Sequence, residues 1–227
     1  MDKILIIAGN EKKKKISTFG MQMRASIDLQ PMLKSPLAVD KKAIEVQLNL
    51  MFYSPPANDH FINRVVAVVS RQEIITSQGQ LQHTNYAHVE ISFPRSLDME
   101  IFEDSKTMAF SVTQQENVFF RLKSWRTAYD CVPLNVSIEK YKFLYKICTN
   151  LSLQNIGFDK TAMYLASFAH DSFLNQRTRQ EYGTFCSKII VEVLQEACIQ
   201  IGTCNIMDVV PYRSSPSSIF ALTYLQR

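Results

Sequence analysis

Residues 184–202 read TFCSKIIVEVLQEACIQIG. Within them Ile189, Ile190, Val191, Val193, Leu194, Ala197, Cys198, Ile199 and Ile201 leave almost no side of a helix polar, and Gly202 follows as a stop. A helix that is apolar nearly all round belongs at the centre of a fold, covered from several directions. Its first residue is Cys186, within Tyr182-Gly183-Thr184-Phe185-Cys186-Ser187-Lys188. Backbone amides in a first helical turn lack an intrahelical partner, and with the helix dipole they favour a thiolate and can hold an oxyanion. A cysteine there is placed to attack a carbonyl and to present donors to the intermediate. The plainer reading is a small buried apolar residue, the one we give to Cys131, Cys148 and Cys198.

Working outward, the texture before this helix is helical back to Pro133. Ile138, Tyr141, Leu144, Tyr145 and Cys148 recur at spacings of three and four, Ser137 is a credible cap, and a second helix is expected from about 159 to 168. Further upstream the pattern is strand-like. Residues 65–69 (VVAVV) form a β-branched block, 88–93 (HVEISF) a second strand, 94–98 a turn, and 99–102, 108–112 and 118–122 further short strands. This predicts an antiparallel meander. Downstream, Ser215-Pro216 places a cap and a first-turn proline ahead of a short amphipathic helix.

Residues 1 to about 60 carry a five-residue apolar run, four lysines at 12–15 and prolines at 31, 36, 55 and 56. They read as an irregular arm or subdomain, with residues 61–227 as the main domain. The whole chain of 227 residues is 46% hydrophobic and 20% charged, which excludes disorder and is ample for burying roughly 70% of the unfolded surface without disulfides. Five cysteines with no framework spacing suggest a reducing compartment. The apolar run at 4–8 is too short for a secretory signal, and no window approaches a transmembrane helix, so the expected location is cytoplasmic. The net charge of +4 owes much to the lysine run; no basic face with interleaved readers suggests specific nucleic-acid binding.

A nucleophilic cysteine needs a base, and the chain has four histidines: His60, His83, His88 and His170. His88 opens a strand and shares its face with Glu90, while Val89 and Ile91 face the opposite layer. A helix packed across the sheet can meet His88 there; the alternative is a half-buried histidine satisfied by backbone. The other three lie in polar, loop-like surroundings. No Cys or His spacing fits zinc, no glycine-rich phosphate loop exists, and no Gly-x-Ser-x-Gly elbow is present, so neither metal nor cofactor is expected.

The order of these pieces resembles the circularly permuted NlpC-type branch of the papain-like cysteine hydrolase and acyltransferase superfamily, which includes YiiX-like bacterial proteins, lecithin retinol acyltransferase relatives and large-DNA-virus members. The strand HVEISF, the segment FDKTAMY, the helix TFCSKIIVEVLQEA and the tail PYRSSPSSIFALTYL carry the likeness over about 65–225, leaving the first 60 residues uncovered. It implies an α+β permuted papain-like fold, an antiparallel sheet packed against a central buried helix that carries the cysteine. It also implies Cys186 as nucleophile, His88 as base and then acid, and a third polar residue on the next strand. Glu100 is the first choice for that residue, Glu103 the second and Glu90 the third, with strand register deciding. The chain departs from many bacterial members in lacking a glycine-rich turn after the histidine strand.

The expected function is a thiol hydrolase or acyltransferase acting on a peptide, isopeptide or lipid acyl substrate through an acyl-enzyme. The alternative is a catalytically silent scaffold or virion assembly protein that binds a protein partner through the N-terminal arm. AFSV, SWRTAYDCVPLNVS and FDKTAMY resemble the viral members more than the bacterial ones, which implies a host cell or virion setting.

Overall fold

Glu45–Tyr53 (β1) alternates strictly at its start: Val46, Leu48, Leu50 and Phe52 turn inward, and Glu45 and Gln47 turn out. This strand lies at the middle of the main sheet, inside a unit spanning Lys42–Arg227, so the boundary expected at residue 60 is corrected. The reason is pairing: β1 hydrogen-bonds a strand on each side, which an arm outside the domain could not do. The computed structural model describes residues 44–75, 80–125, 127–166, 174 and 177–224; the lysine run, Pro31, Pro36 and His170 lie outside them.

After β1 come helix α1 (Phe61–Val69), a small hairpin of β2 (Gln72–Ile75) and β3 (Leu81–Thr84), then β4 (His88–Phe93), β5 (Thr107–Thr113), β6 (Glu116–Lys123) and β7 (Tyr129–Ser137). Helices α2 (Ile138–Ser152), α3 (Lys160–Leu165), α4 (Arg179–Tyr182), α5 (Cys186–Glu196) and α6 (Pro216–Tyr224) follow. The main sheet has the order β6-β5-β4-β1-β7 with every described pairing antiparallel. The chain is therefore α+β.

Two expectations about strands are overturned. Residues 65–69 are helical, because Asp59 accepts from the Tyr53 hydroxyl, the His60 amide and the Asn63 side chain and so fixes the first turn. That local polar anchor outweighs the β preference of the valines, which is a context-dependent term. Phe61, Val65, Val68 and Val69 are left facing solvent. Residues 99–102 are not a strand either: Met99 has a φ of 72°, and the segment is a turn closed by hydrogen bonds from the Ser96 amide to the Glu100 carbonyl and from the Met99 amide to the Ser96 carbonyl, with an isolated bridge between Arg95 and Ile101. His83 lies on β3 rather than in a loop.

Register divides the sheet into two unlike faces. Leu50 stands opposite Ile91, Phe52 opposite Val89, and Ile91 opposite Phe110, all fully buried. Helices cover this apolar face, with Phe93 edge-on to Tyr141 and Tyr145 of α2 and Phe52 edge-on to Phe220 of α6. Each such side chain contributes about 1.5–3 kcal/mol by burial. The other face carries His88, Glu90 and Ser92 beside Tyr53, Met51 and Ala109.

Helix α2 begins where expected, with the Ser137 side chain accepting from the Lys140 amide. Helix α5 is as buried as its composition demands, with Cys186 through Val191, Val193 and Leu194 all inside. It ends at Glu196 rather than near Gly202. Ile199 N–H bonds the Leu194 carbonyl and Cys198 N–H the Gln195 carbonyl, with Cys198 at a φ of 50°. This is a Schellman close in which a cysteine occupies the position glycine usually takes. Cys198 is exposed as a result, and Cys131 is exposed on β7, so only Cys148 of those three is buried. Helix α6 starts with reciprocal Ser215 and Ser218 hydrogen bonds, and residues 216–223 are all buried or half-buried, so it is not amphipathic. Among the described residues, no helix is long and apolar enough to cross a membrane.

Candidate active site

His88 is held from three directions. Two residues before it, the Tyr86 amide donates to Ser217 Oγ of α6 at 3.1 Å, and the Tyr86 hydroxyl donates to Asp130 at 2.6 Å. The Tyr86 ring packs between Phe52 and Phe220. The Ala87 amide bonds the Tyr53 carbonyl, which sets the register that places His88 opposite Tyr53.

Cys186 is placed by a different set of contacts. Thr184 N–H donates to the Gly157 carbonyl at 2.9 Å and Asp159 N–H to the Thr184 carbonyl at 2.7 Å, a short parallel bridge just before the cysteine. Asp159 caps α3 through the Ala162 amide and takes both Nε and Nη2 of Arg177, whose guanidinium lies 4.2 Å over the Tyr182 ring. Ser187 Oγ donates to the Ser214 carbonyl at 2.6 Å, pinning the start of α5 to the entry of α6.

Gly183 makes the bridge possible. Its φ is 88°, and a Cβ there would stand 2.3 Å from the Gly157 carbonyl oxygen. Gly183→Ala is expected to lower the unfolding free energy by about 2–4 kcal/mol, from left-handed strain plus a backbone clash. Urea denaturation checks this; an unchanged midpoint would show that the bridge does not set the position of Cys186.

These elements bring Cys186 and His88 into hydrogen-bonding reach of one another, and Glu90 Oε1 lies 3.2 Å from His88 Nε2. Glu90 is 1% exposed and Cys186 5%. Burial by itself would strip the imidazole of its proton. Cys186, followed by Glu90, outweighs burial and raises His88 to about 10. Burial likewise opposes the Glu90 charge, but contact with His88 and then the Lys123 ammonium hold its carboxyl down at about 2. His88 thus sits between a sulfur and a carboxylate, both of which favour its protonated form. Phe185, the residue capping α5, offers no side-chain acceptor, and the first intrahelical bond is from the Ile189 amide to the Phe185 carbonyl. The amides ahead of it are the natural donors for an oxyanion formed at Cys186.

The carboxylate order expected from sequence is reversed by this geometry. Glu100 is exposed in the turn beyond β4, its amide on Ser96 Oγ, a full strand length of about 17 Å from His88. Glu103 is exposed in a 3-10 turn at Glu103–Ser105. Glu90, ranked third, is the one beside the imidazole, because residues two apart on a strand share a face. His60 caps α1 without a side-chain bond, and His83 lies 3.7 Å from Glu73 on the hairpin; neither meets Cys186. Among the described residues, no group of three or more His, Cys, Asp or Glu is arranged to hold a metal.

Sequence reading missed Lys123 and Tyr129. Lys123 Nζ and the Tyr129 hydroxyl, the latter at 2.9 Å, both donate to Glu90 Oε1. They come from β6 and β7, the two outer strands. On a flat sheet, four spacings across and six residues along put their Cα atoms about 27 Å apart, whereas a six-residue connection reaches about 22 Å. The sheet therefore curls, and the His88–Glu90 face is its concave side. Trp125 in the connection donates to Thr107 Oγ1, which also accepts from Ser92 Oγ, so the strap is fastened over that face. The aromatic composition of residues 125–129 was the available signal, but nothing local says that this strap crosses the sheet.

No known protein family, curated protein or solved structure matches this chain.

Proposed function

We propose that this chain is a thiol hydrolase or acyltransferase with Cys186 as nucleophile, His88 as proton carrier and Glu90 as the group that orients the imidazole. The observation that carries the reading is the buried row Cys186, His88, Glu90, built from two elements nearly a hundred residues apart in sequence. A papain-like arrangement is supported by the same row: a helix opening on the cysteine, packed on an antiparallel sheet whose strand opens on the histidine. In this mechanism the thiolate attacks an amide, ester or thioester carbonyl, and first-turn amides of α5 receive the oxyanion. The imidazolium gives its proton to the leaving group. Neutral His88 then takes a proton from water or an acceptor alcohol or amine, which displaces the acyl group and frees the sulfur.

The test is direct trapping. The full chain is offered activated esters, thioesters and peptide amides, and intact mass and peptide mapping locate any adduct. An acyl group on Cys186 in the parent, absent in Cys186→Ala and delayed in His88→Ala, supports the reading; acylation spread over the exposed Cys131 and Cys198 with Cys186 spared defeats it.

The low exposure of Cys186 favours a second reading, a silent scaffold that uses the fold to bind a protein partner. A Cys186 inert to every acyl donor and to a small alkylating agent would select it.

A further inference from the structure

Glu90 offers its oxygens unequally. Oε1 receives Lys123 Nζ, the Tyr129 hydroxyl and the approach of His88 Nε2, while Oε2 is buried with no hydrogen-bond partner. One carboxylate oxygen has two lone pairs, and two donors already use them. His88 Nε2, equally buried, accordingly finds no in-line bond although Oε1 is only 3.2 Å away. Lys123 is not loosely placed: its ammonium lies 4.6 Å over the Trp125 ring and 4.7 Å over the Tyr129 ring, and bonds the Tyr129 hydroxyl at 3.1 Å. The strap that encloses the concave face thus also fixes a positive charge against the carboxylate.

We propose that Lys123 is a positioning residue that limits the hold of Glu90 on His88, occupying the oxygen the imidazole would otherwise bond in line. Its bearing on catalysis rests on the proposed role of His88; the coupling itself does not. The charged and titratable groups around the imidazole come from five elements: Tyr53 on β1, directly opposite His88, Glu90 on β4, Lys123 on β6, Tyr129 on β7 and Cys186 on α5. With the ammonium removed, Oε1 is released to His88 and a like charge is lost from its surroundings. Both changes favour the imidazolium.

The experiment follows the His88 imidazole by NMR titration in Cys186→Ala protein, which removes the sulfur and leaves Glu90 and Lys123 as the charges in contact. Lys123→Met is expected to move the His88 midpoint up by about one pH unit, and Lys123→Arg, which keeps the charge, to move it by much less. Should Lys123→Met not fold, Lys123→Leu, which likewise removes both the charge and the donor to Glu90, carries the same expectation. A midpoint unmoved in the neutral variants, or moved equally in Lys123→Arg, overturns the proposal. Alkylation of Cys186 in the otherwise unaltered chain reports separately on the catalytic reading, so the two failures are distinguishable.

Discussion

At pH 6, Cys186 is expected to react with a small alkylating agent about a hundredfold faster in the parent protein than in His88→Ala, with the modified site read by peptide mass. The thiolate is the reacting form of a cysteine, and a cation held against the sulfur favours that form. The imidazolium is the source of that gain: His88, raised to about 10, stays protonated across the whole range in which a free histidine would have lost its proton. In His88→Ala the advantage of Cys186 at pH 6 should disappear. The buried position of Cys186 lowers the absolute rate in both proteins, which is why the ratio is the quantity to read. Equal rates with equal pH profiles would leave His88 as a structural histidine and the enzyme reading without its base.

Glu90→Ala is expected to be the most destabilising single change on the polar face, costing about 3–5 kcal/mol at pH 6, because it leaves two buried or half-buried cations without their shared carboxylate. Urea unfolding measures it. Glu90→Gln keeps shape and one acceptor, so it should cost less while still releasing the imidazole. The parent protein should show the same interaction through pH. Glu90 is held at about 2 against 4.5 for an ordinary glutamate, so its contribution is complete above about pH 4.5 and is lost as pH falls toward 2. His88 is raised to about 10 from 6.5, so its contribution is complete below about pH 6.5 and is lost as pH rises through 10. The row Cys186, His88 and Glu90 therefore stabilises most between about pH 4.5 and 6.5. In Glu90→Ala the acid limb should flatten, and a parent protein whose stability does not change between pH 5 and 9 would contradict the buried pairing.

The parts of the fold that were legible in sequence are those governed by local periodicity. The buried helix opening on Cys186, the Ser137 cap of α2, the Ser215-Pro216 start of α6 and the strand 88–93 each follow from side-chain spacing within about fifteen residues. The failures also share a cause. β propensity points the valines of α1 to a strand, and Asp59 overrides it; Gly202 is the residue type that usually stops a helix, and Cys198 takes the left-handed position instead. Prolines and charge surround β1 and hide it within an irregular stretch, although its own alternation marks it as a strand.

For the candidate site, sequence by itself determined the residue types and their local placement: a cysteine at a helix start, a histidine opening a strand, and Glu90 on the same face as His88. Period-two geometry fixes that last relation before any folding. Only the tertiary structure decided that the cysteine meets this histidine, that Glu100 and Glu103 lie elsewhere, and that Lys123 and Tyr129 converge on Glu90. Those relations depend on strand order and on the curl of the sheet, which arise from pairings between β1, β4 and β7 far apart in the chain and from a connection too short to span them flat.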